Sequence, residues 1–164
     1  MSIRSLLLAL LFGLAGATSA DAQIVVLGAS STAGYGVGAA AAFPAQLEAI
    51  LRSRGKPMSV SAAGVSGDTT GGMLARLSSA VPPGTKIVVL QIAGNDGLKG
   101  MSASAAAANR AEIRRQLHAR GIRTVEADGY VMAALRAGLR QPDGIHMTAA
   151  GHRRVAEQLA ASIR

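Results

Sequence analysis

Residues 24–34 read IVVLGASSTAG, and the opening of this stretch decides the fold. Ile24, Val25, Val26 and Leu27 are apolar without alternation and mostly β-branched. That is the pattern of a strand buried on both faces, not of one with a wet side. Gly28 ends the run, and a glycine-rich loop continues through Gly34, Gly36 and Gly38. The same signature returns at 86–92 (KIVVLQI), the clearest strand in the chain, and more weakly at 58–62 and 122–127. Helical segments lie between these runs. Residues 43–54 (FPAQLEAILRSR) carry Pro44 in the first turn and meet Gly55 as a stop. Asp68 or Thr69 can cap a helix running through Met73, Leu74 and Leu77. After the Pro82-Pro83-Gly84 turn and the third strand, residues 104–120 read as a helix closed by Gly121, and 130–139 as another. Thr148 caps a last amphipathic helix with Val155, Leu159 and Ile163 on one face. Strands alternating with helices predict an α/β, three-layer α/β/α domain around a parallel sheet. Ligands of such sheets bind at the carboxyl ends of the strands.

The 164 residues suit one domain with a self-sufficient core, and no repeat or linker divides them. Apolar residues make up 49%, yet there are two Phe, two Tyr and no Trp. Ala, Val, Leu, Ile and Gly must therefore build the core, which fits helices laid closely on a sheet. The same scarcity leaves few stacking platforms for single-stranded nucleic acid. A net charge of +8 comes largely from Arg in helical stretches, among them Arg110, Arg114, Arg115, Arg120 and Arg123. This reads as solvated helix surface, with no nucleic-acid partner expected; attraction to an anionic membrane surface or anionic substrates is the functional alternative. Cysteine is absent, which removes thiolate nucleophiles, thiolate metal sites and redox motifs.

The N-terminal residues read as a targeting segment. Arg4 precedes an apolar run at 6–14, and Ala20-Asp21-Ala22 has the A-x-A form of a signal-peptidase site. The run is shorter than the ~20 residues of a membrane span. The expectation is a signal peptide at 1–22, cleavage after Ala22, a domain over 23–164, and export to the periplasm or medium.

Polar residues gather where strands have just ended. Ser30 follows the first strand, Ser66-Gly67-Asp68 the second and Gly94-Asn95-Asp96 the third; Asp143-Gly144-Ile145-His146 precedes the last helix. Parallel strands bring the first three groups to one edge. Acyl transfer needs a nucleophile, a base, a group that orients the base, and donors for an oxyanion. Ser30 Oγ can be the nucleophile, His146 the base, and Asp143 its orienter from the same turn. The Ser30 and Gly67 N–H groups and the Asn95 amide can form an oxyanion hole. Ser31 is the rival hydroxyl, but the spacing from Gly28 selects Ser30. His118 and His152 are expected on helix surfaces, and Asp68 and Asp96 as caps or loop braces. No His, Asp and Glu spacing suggests a metal, and this chemistry calls for no cofactor.

These segments resemble the conserved blocks of the SGNH (GDSL) hydrolases, especially the small periplasmic thioesterase, lysophospholipase and arylesterase members. Residues 27–36 (LGASSTAGYG) are similar to the first block, with Ser30 on its nucleophile, and 65–69 (VSGDT) to the second, with Gly67 as the oxyanion glycine. Residues 94–98 (GNDGL) match the third, with Asn95 as the oxyanion asparagine, and 143–146 (DGIH) the fifth, with its acid and base. The resemblance implies the flavodoxin-like SGNH fold and a serine esterase acting on small carboxylic esters or thioesters. Two positions depart from the pattern. Ala29 stands where the first block has Asp, and the stretch between Asp128 and Asp143 is short for a further strand and helix. The sheet is therefore expected to have four strands, five at most, and a cleft open on that side. Two other readings remain beside this one: nucleotide binding at the 28–34 loop, which resembles a phosphate loop, and a non-catalytic binding domain on the same fold.

Overall fold

The computed structural model describes residues 23–163. The predicted signal peptide, 1–22, and its cleavage point lie outside the described residues. Four parallel strands form one sheet in the order β2-β1-β3-β4: β1 is Ile24–Gly28, β2 Val60–Gly64, β3 Ile87–Gln91 and β4 Arg123–Glu126. The continuous apolar runs, β1 and β3, are buried throughout and take the centre, whereas the mixed runs, β2 and β4, are the partly exposed edges. Gly28 stands opposite both Gly64 and Gln91, so these strands end flush.

Among the described residues, seven α-helices cover the sheet: α1 (Ser30–Ala33), α2 (Phe43–Ser53), α3 (Thr70–Ala75), α4 (Leu77–Ala80), α5 (Ala103–Ala119), α6 (Asp128–Arg136) and α7 (Ala149–Ser162). Alternate β1 side chains enter two cores. Ile24 and Val26 pack with Leu47, Val131, Val155 and Leu159 from α2, α6 and α7. Val25 and Leu27 pack with Met73, Leu77, Ile113 and Leu117 from α3, α4 and α5. Each such buried side chain contributes about 1.5–3 kcal/mol of apolar transfer free energy. The three-layer α/β/α architecture is thus as predicted, and with four strands. From β1 the chain crosses to one side and then back over to β3, which creates a switch point between β1 and β3 where such folds open a crevice.

Several elements differ from the sequence expectation. The second strand begins at Val60, not residue 58, because pairing sets an edge strand: Ile24 donates to Ser59 O (3.0 Å), and Glu48 Oε2 accepts from Val60 N (2.9 Å). The single helix expected through residues 73–77 breaks at Arg76 into α3 and α4. Thr69 is the residue that caps α3, accepting from Gly72 N, and Thr148 caps α7 from Gly151 N as expected. Where a fifth strand would lie, residues 137–148 fold back on themselves through an antiparallel bridge between Arg140 and Met147. His118 is exposed, but His152 is a correction: it is buried (1% exposed), not on the helix surface. It lies one turn before Val155 on the apolar stripe of α7, and its Nδ1 accepts from Phe43 N across the α2–α7 contact (3.2 Å). Helical spacing overrode the polarity of the side chain.

Candidate active site

Ser30 is the first residue of α1, directly beyond the end of β1. The chain turns there against the neighbouring strand so closely that a Cβ at Gly28 would overlap Thr32 Oγ1 and crowd Gln91 O. Ala29 is buried on the α3–α5 side of the sheet. Its N–H donates to Gln91 Oε1 (3.1 Å), which also accepts from Thr32 Oγ1 (3.3 Å). Gln91 is itself buried, so the last residue of β3 ties down the turn that position 29 cannot brace through its own side chain.

His146 and Asp143 sit in the 137–148 loop. Gln141 N donates to His146 O (2.7 Å) and Thr148 N to Leu139 O (3.0 Å), closing the loop into a rigid turn. Asp143 Oδ1 accepts from Ile145 N (2.9 Å) and His146 N (3.0 Å), while Oδ2 faces His146 Nδ1 at 2.7 Å. The His146 backbone N–H, then its ring and then the Ile145 N–H hold the Asp143 carboxyl down at about 2. His146 Nε2 lies 3.1 Å from Ser30 Oγ, although the two residues come from opposite ends of the domain. The Tyr35 ring stacks on the imidazole, with centroids 4.3 Å apart and planes at 30°. Gln141 Nε2 joins the two loops by donating to Tyr35 O (2.9 Å) and Met147 O (2.8 Å).

The remaining predicted positions complete the rim. Gly67 adopts a left-handed backbone (φ 77°) in the turn closed by Asp68 N donating to Val65 O (3.1 Å). A side chain there would be strained, and glycine is the residue that adopts this conformation without cost. Asn95 Nδ2 donates to Asp68 O (2.8 Å), joining the β2 and β3 loops and leaving its second amide hydrogen available. Among the described residues, neither the Ser30 nor the Gly67 N–H has an acceptor within the protein. Asp96 accepts from Thr70 N (2.8 Å) and Thr70 Oγ1 (3.0 Å), and Asp68 pairs with Arg76 (2.8 Å), both as loop braces.

Sequence reasoning missed the residues that hold these loops. Arg76 donates to Gly28 O and Ala63 O (both 3.1 Å) and clips the ends of β1 and β2 together. Asp128 accepts from Ile92 N and Ala93 N (both 3.2 Å), and burial pushes its carboxyl up against the lowering effect of those bonds. Gln91 had a visible signal, as the polar residue that interrupts an otherwise apolar strand; Tyr35 and Gln141 had none. A cleft of about 210 Å³ opens beside Ser30, Asn95 and His146, walled by Leu98, Met132, Leu135 and Ile145.

The model of the GDSL-like lipase/acylhydrolase family matches residues 26–140. The chain is 38% identical over 99 residues to an arylesterase of Vibrio mimicus, covering 60% of this chain and 50% of that protein, so it spans about half of that relative's length. It is 28% identical over 175 residues to esterase TesA of Pseudomonas aeruginosa, covering 86% and 87% of the two chains. The crystal structure of the psychrotrophic esterase EstA from Pseudoalteromonas sp. covers 87% of this chain and 97% of its own with a TM-score of 0.76; at 18% identity this is a likeness of fold. With the family model covering most of the folded domain, from β1 to the loop before Asp143, the chain belongs to the GDSL-like lipase/acylhydrolase family.

Proposed function

We propose that this protein is a serine esterase that hydrolyses small carboxylic esters or thioesters through an acyl-serine intermediate. The observation that carries the proposal is the unbroken line from Asp143 Oδ2 to His146 Nδ1 (2.7 Å) and from His146 Nε2 to Ser30 Oγ (3.1 Å). An ionised Asp143 keeps the proton on Nδ1, so Nε2 is the basic nitrogen that faces Ser30. As Oγ bonds the carbonyl carbon, Nε2 takes its proton, and the Ser30 N–H, Gly67 N–H and Asn95 amide receive the oxyanion. Collapse breaks the bond to the alcohol or thiol, which leaves with the proton from Nε2. Water then attacks the acyl-serine with the same nitrogen as base and releases the acid. Removing one oxyanion donor costs about 3–4 kcal/mol of transition-state stabilisation. The esterase names of the Vibrio and Pseudomonas relatives support the same reading. A phosphate loop at 28–34 is disfavoured, since the Ala29 N–H is committed to Gln91 and α1 has only 4 residues.

Labelling with a fluorophosphonate followed by peptide mapping tests the assignment. The label is expected on Ser30, and Ser30→Ala is expected to abolish both labelling and p-nitrophenyl acetate turnover while the circular dichroism spectrum persists. A label on Ser31, or turnover surviving in Ser30→Ala, contradicts it. We place the activity outside the cytoplasm on the basis of the 1–22 segment; an exported product beginning at Gln23 is expected by intact mass, and retention of residues 1–22 contradicts that.

A further inference from the structure

The large apolar side chains left exposed among the described residues are Tyr35, Val65, Leu98, Met132 and Ile145. They come from separate connections, yet all lie at the edge of the sheet that holds Ser30. Tyr35 follows β1, Val65 follows β2, Leu98 follows β3, Met132 is on the helix after β4, and Ile145 adjoins His146. Leu98 and Ile145 are 80% and 64% exposed. Clustered exposure of this kind marks a surface that meets something apolar. The cleft itself, at about 210 Å³, is smaller than the roughly 300 Å³ at which small-molecule pockets begin. It has room for an ester group and the first carbons of a chain, and its own rim stays in water unless a second surface covers it.

The charges around the rim say which surface. Lys99 adjoins Leu98, Arg136 lies one turn beyond Met132 on α6, and Arg140 lies in the loop that leads to His146; all three are exposed. None of them has an ion-pair partner among the described residues. The carboxylates of this edge are already engaged: Asp143 by His146, Asp68 by Arg76, Asp96 by Thr70 and Arg110, and Asp128 by the Ile92 and Ala93 N–H groups. The edge therefore presents an apolar patch ringed by unpaired cations, the complement of an anionic lipid surface.

We propose that the mouth of the Ser30 cleft seats on an anionic lipid bilayer, with Leu98, Met132 and Ile145 at the headgroup–acyl boundary and Lys99, Arg136 and Arg140 on the headgroups. The bilayer then completes the shallow pocket, and an acyl ester reaches Ser30 without its chain crossing water. The nature of that cargo rests on the esterase reading; the docking does not.

The chain has no Trp, so Leu98→Trp in the full-length protein supplies a single reporter at the rim, and Ile145→Trp a second. Arg54→Trp, exposed beyond the end of α2 at the opposite edge, is the control. With vesicles of phosphatidylcholine and phosphatidylglycerol carrying brominated acyl chains, both rim reporters are expected to shift to the blue and be quenched, the control to stay unquenched, and phosphatidylcholine alone to have little effect. One basic residue near an anionic surface strengthens binding about fivefold, so adding Arg136→Gln and Arg140→Gln is expected to weaken it about 30-fold. Rim reporters that remain in water while the protein floats with the vesicles, equal quenching of the control, or no vesicle binding at all would each overturn the proposal. Turnover of a soluble acetate ester by the unmodified protein, measured in parallel, tests the esterase reading separately.

Discussion

Both oxygens of Asp143 are engaged, one by two backbone N–H groups and one by the His146 ring, so this carboxylate orients the imidazole in two directions at once. Asp143→Asn would present an amide to Nδ1 and favour the tautomer with its proton towards Ser30. A fall in kcat of roughly 10³–10⁴ is expected with the fold intact, by analogy with the loss of tautomer control in other serine triads. Steady-state kinetics on p-nitrophenyl acetate checks this, and a loss below tenfold contradicts the role. Tyr35 acts on a face of the same ring, stacked at 4.3 Å. A phenol face steadies the imidazolium that forms during turnover by about 0.5–1 kcal/mol at an exposed site. Tyr35→Ala is therefore expected to lower kcat about two- to fivefold, and Tyr35→Phe to keep it. Equal losses in the two variants would assign the effect to the hydroxyl.

The junction of β1 with α1 depends on a side chain from another strand. Gln91→Leu keeps the volume but leaves the buried Ala29 N–H and Thr32 hydroxyl without their acceptor. An unsatisfied buried donor costs about 1–3 kcal/mol, to be read as a lower urea midpoint at unchanged slope, with activity falling as Ser30 loses its seat. The central strands were legible in the sequence because burial on both faces demands unbroken apolar runs, as at 24–27 and 87–90. The helix ends were legible because Pro44, Thr148 and Gly121 mark them chemically. Ser30, Gly67 and Asn95 were legible as neighbours, since parallel strands deliver their loops to one edge; Asp143 and His146 were legible as a pair on one turn, and the family resemblance joined that pair to Ser30. What stayed hidden depends on contacts distant in sequence: the start of β2 follows its pairing with β1, and the break at Arg76 accompanies a guanidinium that reaches Gly28 O and Ala63 O. His152 was misread by its polarity, although its spacing from Val155 and Leu159 already placed it on the buried stripe.

That buried histidine makes the stability of the whole domain depend on pH. The α2–α7 contact joins two elements far apart in the chain, and His152 lies within it, its Nδ1 accepting from Phe43 N and its ring stacked on that of Phe43. An accepting Nδ1 requires the neutral ring with its hydrogen on Nε2, a buried atom without a partner among the described residues. Burial first, and the nearby His146 second, pull its pKa down from 6.5 to about 4. The unfolded chain therefore binds this proton at a higher pH than the folded one. The contribution is fully present above about 6.5, declines as the pH falls, and is lost below about 4. The difference corresponds to about 3 kcal/mol across that window. Protonation would also point an N–H at the Phe43 N–H and break the bond that ties the start of α2 to α7. Urea midpoints are expected to drop between pH 7 and pH 4.5. In His152→Asn the amide oxygen can take the place of Nδ1 without titrating, so this variant should be less stable at pH 7 yet show a flatter slope through the same window. An unchanged slope in His152→Asn would move the acid sensitivity to other groups.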